Sequence, residues 1–211
     1  MLKQMLLAMM LPAGMVATLP TPAPSAREVR LEVASTGNEA RYRVREQLAG
    51  FDLPNDAIGR SSGVSGALVL DEKGGVVPGP SRIVVNVAEL RSDRDRRDGY
   101  VRRRILESDS FPTATLAPTV IRGLPWPLPA SGQAPLTLAG DLTVKGVTRP
   151  TTWNVTANFV GDTISGTAAT AFTFADFGLD QPRVPIVLSV GDTIRLEYDF
   201  RLVRTPASSS P

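Results

Sequence analysis

Gly140-Asp141-Leu142-Thr143-Val144-Lys145-Gly146-Val147-Thr148-Arg149-Pro150 joins two halves of one pattern. Upstream and into it, Leu136, Leu138, Leu142 and Val144 alternate with Thr137, Ala139, Thr143 and Lys145. A period of two marks a strand with one buried and one wet face. Gly146 breaks the run, and Pro150 fixes a rigid corner. Alternation resumes with Trp153, Val155, Ala157 and Phe159 against Asn154, Thr156 and Asn158. The spacing predicts two antiparallel strands, 136–145 and 152–160, meeting at a Gly-Val-Thr-Arg-Pro turn, with a large aromatic aimed into a shared interior.

The same period recurs outward along the chain. Upstream strands are expected near 29–33 and at 40–45, where Tyr42 and Val44 alternate with Arg41, Arg43 and Arg45. Val64, Gly66, Leu68 and Leu70 form another face, and Ile83, Val85 and Val87 the next. Further strands are expected at 114–121 and 163–174. The clearest alternation is the last: Ile194, Leu196, Tyr198, Phe200 and Leu202 against Arg195, Glu197, Asp199 and Arg201. Gly and Pro clusters predict long loops at 46–63 and 122–135, the second exposing Trp126, and a loop around Gly178, Pro182 and Pro185.

Only Asp93–Leu106 lacks the period of two. Asp93 or Asp95 can cap a helix start. Arg94 with Asp98, and Asp98 with Arg102, are i,i+4 partners, and Val101 and Ile105 share a face. A short amphipathic helix lying over one end of the sheet is predicted. Pro112 marks the return to extended chain.

Composition narrows the chemistry. The chain has no cysteine and no histidine. That excludes disulfides and thiolate metal sites, and removes the commonest general base and metal ligand. Asp176 and Asp180 sit in a Gly/Pro-rich loop with no partner base and read as structural. Asp141 and Lys145 read as surface charge. No phosphate loop, nucleophile elbow or metal-ligand spacing is present, and the expectation is a protein that is not an enzyme. The 23 basic residues nearly balance the 21 acidic ones. That gives no electrostatic case for nucleic acid.

Residues 1–26 read as a secretory signal: Lys3, a short apolar core interrupted by Pro12, then small residues around Ala23-Pro24-Ser25-Ala26. This predicts a periplasmic or secreted bacterial protein. The domain is expected at 27–204, and residues 205–211 as a disordered tail.

So many one-sided strands favour an all-β fold, a single antiparallel barrel of about eight strands with one short helix. Apolar side chains point in and charged ones out. An outer-membrane barrel would need the reverse.

Three stretches in register carry a family resemblance. They are the Gly140–Pro150 segment, Leu90-Arg91-Ser92-Asp93-Arg94-Asp95-Arg96-Arg97-Asp98-Gly99-Tyr100-Val101-Arg102 running on to Ser110–Leu116, and Phe174-Ala175-Asp176-Phe177-Gly178-Leu179. In this order the chain, from Glu28 to Val203, resembles the YceI-like family of bacterial lipid- and polyisoprenoid-binding proteins. The resemblance implies a lipocalin-like, elongated barrel holding a lipid inside. By itself, alternation favours a filled core; the resemblance turns the reading toward a ligand channel. Where a ligand is held, burying its tail contributes ~0.8 kcal/mol per CH₂ before costs.

Candidate ligand-binding residues on the inward faces are Tyr42, Val44, Leu68, Val85 and Val87, then Leu138, Leu142, Val144, Trp153, Val155 and Phe159. Phe172, Phe174, Leu196, Tyr198 and Phe200 complete the set. Head-group candidates are Arg94, Arg97 and Tyr100, because arginine forks onto anionic oxygens; a solvated helix face is the plainer reading of the same residues. The family usually has a histidine near this Arg-Asp pair. Tyr100 stands nearest that place, so any role of that histidine is lost or changed here. The resemblance implies no cofactor beyond an isoprenoid or similar lipid. It also makes a membrane partner of the cytochrome b561 type plausible, the alternative function being a stress-related interaction protein with a filled barrel. The oligomeric state is left open, a dimer included.

Overall fold

Ten strands make eight staves. In the computed structural model, which describes residues 28–50, 53–185 and 187–205, the strands are β1 (Val29–Val33), β2 (Glu39–Leu48), β3 (Asn55–Ser61), β4 (Val64–Leu70), β5 (Arg82–Asn86), β6 (Thr113–Arg122), β7 (Ser131–Val144), β8 (Val147–Val160), β9 (Thr163–Thr173) and β10 (Val187–Thr205). All pairings are antiparallel. β1 and β2 lie end to end along β10, Arg30 opposite Thr205 and Val33 opposite Leu202, then Glu39 opposite Asp199 and Leu48 opposite Val187. Together they form one broken stave, and β3 with β4 form the next. The order then runs β4-β5-β6-β7-β8-β9-β10, and the β1–β10 pairing closes the ring. The expected signal at 1–26 lies outside the described residues. Of the expected tail, Thr205 belongs to β10, and 206–211 lie outside the described residues.

The break between β1 and β2 is held by a buried Asn38. Its Oδ1 accepts from the Tyr198 hydroxyl at 2.7 Å and from Arg201 N at 2.9 Å, while its Nδ2 donates to Ala34 O at 2.8 Å. An asparagine with its polar atoms so partnered can be buried without penalty.

Five sequence expectations need correction. The turn between β7 and β8 is Lys145-Gly146, not the five-residue corner. Both residues have positive φ, 48° and 75°, the conformation of a tight hairpin turn whose twist matches the strands. Pro150 lies within β8 opposite Asp141. β9 pairs with β8 only from Asn154 onward, so Pro150 occupies an edge position where a missing N–H costs nothing. The predicted loop at 46–63 contains β3 and the end of β2, and the one predicted at 122–135 contains the start of β7 from Ser131. Trp126 is half-buried rather than exposed; its Nε1 donates to Glu72 O at 2.8 Å.

Most charges of β2 and β10 sit outside as expected. Arg41 binds Asp199 (2.6 Å), Glu39 (2.8 Å) and Glu197 (3.4 Å), and Arg43 bridges Glu197 and Asp56. Cross-strand opposite charges of this kind reinforce register. The arginines hold the Asp56 and Glu197 carboxyls below the usual carboxylate range.

The interior divides in two. At the end where the chain enters β1, Leu31, Leu70, Ala157, Phe159, Ile164 and Leu202 pack it solid, each at most 8% exposed. The other end is not filled.

A one-ended apolar cavity under a helical cap

Between β5 and β6 the chain leaves the wall. Val87–Glu89 form a 3-10 turn, then α1 (Asp95–Tyr100) continues as a π turn, Val101–Ile105. The expected caps and surface pairs do not form. Arg94 is the N-cap and makes no side-chain cap bond. Asp98 is 5% exposed and accepts from Ser92 N (2.8 Å) and Ser92 Oγ (2.6 Å), not from Arg94 or Arg102. Locking Asp98 to Ser92 turns Arg97 and Tyr100 toward the barrel. In the π turn the Leu106 N–H donates to Val101 O at 2.9 Å. This wider turn presents Val101, Ile105 and Leu106 to the interior.

Beneath the helix lies a cavity of about 700 Å³, within the ~300–1,000 Å³ typical of small-molecule sites. Its floor is the packed half of the barrel. It reaches solvent beside the exposed Arg94, Asp95 and Arg96. Of the predicted lining, Tyr42, Val44, Val85, Val87, Leu142 and Val144 border it, as do Trp153, Phe172, Phe174, Leu196 and Tyr198. Arg94, Arg97 and Tyr100 stand at its mouth. Leu68, Leu138, Val155, Phe159 and Phe200 do not border the cavity; they belong to the packed half. Alternation identifies an inward face but not the depth along the barrel at which packing stops.

The Phe174–Leu179 motif folds inward as well. Phe174, Phe177 and Leu179 are buried, with the Phe172 and Phe177 rings 4.4 Å apart. Phe174 and Leu179 face the cavity. Asp176 accepts from Thr173 N and Oγ1, the structural role expected of it.

Sequence reading missed Leu48, Ala57, Ile83, Leu116, Val187 and Val190 on the wall. Glu46 was also missed: it shares the inward face of β2 with Tyr42, Val44 and Leu48, is 7% exposed, and pairs with Arg97 at 2.6 Å. Arg97 also binds Asp93. The signal was present, since position 46 continues the alternation of 42 and 44. Gly59 lies opposite Tyr42, and a Cβ there would stand 2.1 Å from the tyrosine ring. The ring therefore lies against the wall and leaves the cavity open.

Burial pushes the Tyr42 phenol up to about 12, and raises Tyr198 too. An unfolded chain releases these protons near pH ~10. Between there and about 12 the unfolded state binds fewer protons than the folded one, so stability is expected to fall as pH rises. Denaturation midpoints followed from pH ~8 to ~11 beside phenolate absorbance would check this; midpoints that stay level would contradict it.

Fold and cavity together define a lipocalin-like barrel, solid at one end and hollow at the other. The chain belongs to the YceI-like family, whose signature, described as a YceI-like domain, matches residues 29–202. Three solved structures share the architecture. A polyisoprenoid binding domain from Saccharophagus degradans, implicated in plant cell wall breakdown, superposes with a TM-score of 0.62 at 12% identity, covering 86% of this chain and all of that one. BcnA of Burkholderia cenocepacia gives 0.58 at 19% identity, covering 82% and 99%. The Campylobacter jejuni YceI protein gives 0.57 at 14%, covering 75% and 90%. At such identities the likeness speaks to fold. No curated protein matches the chain.

Proposed function

We propose that this protein binds an isoprenoid or other amphiphilic lipid in its hollow half, as a carrier or store rather than as an enzyme. The observation that carries this reading is the cavity of about 700 Å³, walled by aliphatic and aromatic side chains and stopped at one end by packed core. An apolar tail gains affinity there from burial alone. The polyisoprenoid binding of the Saccharophagus degradans domain points the same way. A barrel filled throughout, acting only through its surface, does not fit such a void. With residues 1–26 as an export signal, the site of action is the periplasm or the exterior.

Native mass spectrometry of protein recovered from the periplasm, followed by organic extraction, tests this. The expected result is a co-purifying hydrophobic mass near one per chain. Protein that is always empty, and that takes up neither prenyl quinones nor fatty amides, would sink the proposal.

A further inference from the structure

Glu46 is a carboxylate in a largely apolar wall. It is 7% exposed and borders the cavity between Val44 and Leu48. Its Oε1 accepts from Arg97 Nη2 at 2.6 Å and from Asn55 Nδ2 at 3.4 Å. Among the described residues no donor meets its Oε2. Nor is that oxygen sealed in protein: among the described residues, the one fully buried side-chain polar atom without a partner is Arg204 Nε. Oε2 thus keeps accessible surface on a residue that lines the cavity. A carboxylate oxygen with no donor in an apolar space is costly, and a ligand that supplies a donor recovers that cost.

The local charge restricts what that donor can be. Arg97 is shared between Glu46 and Asp93, and Asp93 also meets Arg94 at 3.7 Å, so the cluster carries no surplus positive charge. An anionic head group entering here meets a carboxylate whose paired cation is already shared with a second carboxylate.

Resting on the lipid-binding reading above, we infer that Glu46 Oε2 receives the ligand's head group and that this group is a neutral hydrogen-bond donor, a hydroxyl or N–H, rather than a phosphate or carboxylate. The apolar tail lies below, toward Trp153 and Leu196.

Three probes with one tail separate the possibilities: geranylgeraniol, its methyl ether and geranylgeranyl diphosphate. The alcohol is expected to bind roughly tenfold more tightly than the ether, the worth of one hydrogen bond to a charged acceptor, and the diphosphate more weakly than either. Glu46→Gln should shrink the gap between alcohol and ether, improve the diphosphate, and leave the ether unchanged; the ether thus reports that the cavity survives. Equal binding of all three by the wild type, or preference for the diphosphate, overturns the head-group assignment while the lipid-binding reading stands. Failure of all three to bind removes both. Where Glu46→Gln does not fold, the wild-type ranking alone decides.

Discussion

Replacing Arg97 by alanine is expected to destabilise the protein by about 3–5 kcal/mol, the usual cost of stripping the partner from a buried ion pair. The pair qualifies: the two side chains are 12% and 8% exposed and meet at 2.6 Å. Truncation leaves Glu46 charged inside an apolar cavity with only the long contact from Asn55. The loss comes from the abandoned carboxylate and not from the bridge itself, so a control is built in. An Arg97→Leu, Glu46→Leu double variant removes both charges and is expected to recover most of the stability. Urea denaturation of the three proteins measures this. A single variant within ~0.5 kcal/mol of wild type would mean that water reaches Glu46 freely and that the pair is effectively a surface one.

Phe159→Ala is expected to cost a similar ~3–5 kcal/mol for a different reason. Phe159 is 2% exposed and belongs to the packed half of the barrel. Removing the ring opens a void that its neighbours on closed staves cannot collapse into. Leu116→Ala, on the cavity wall, should cost less, because that side chain already borders empty space on one side. The ordering should reverse for ligand affinity, with Leu116→Ala weakening uptake and Phe159→Ala leaving it nearly unchanged. Thermal melts and ligand titrations on the two variants give both orderings. Equal stability losses would mean that the interior is not divided as described.

Most of the barrel could be read from alternation, because one face of each long strand is wet and the other dry. β7, β8 and the second half of β10 are of this kind. β3 was not legible. Its inward positions are Ala57, Gly59 and Ser61, small because Tyr42 fills the space above Gly59, and small residues carry no hydrophobic period. The helix could be placed but its contacts could not: i,i+4 spacing describes an isolated helix, whereas the Ser92 bonds to Asp98 and the burial of Arg97 depend on the wall beneath. Eleven of sixteen predicted ligand residues border the cavity, and the five that do not share the same inward faces. Glu46 was overlooked because an inward position is expected to be apolar, and the charge that breaks the rule is the one the cap is built to meet.

The solid end of the barrel turns the hollow end into a ruler. A tail can enter only from the mouth and stops where Phe159, Ile164 and Leu202 begin, so each added isoprene unit strengthens binding only until the depth is used up. Longer homologues must leave their surplus outside, past the arginines of the cap. Affinity plotted against tail length should therefore climb and then level off, and the length at the bend is set by where the core begins.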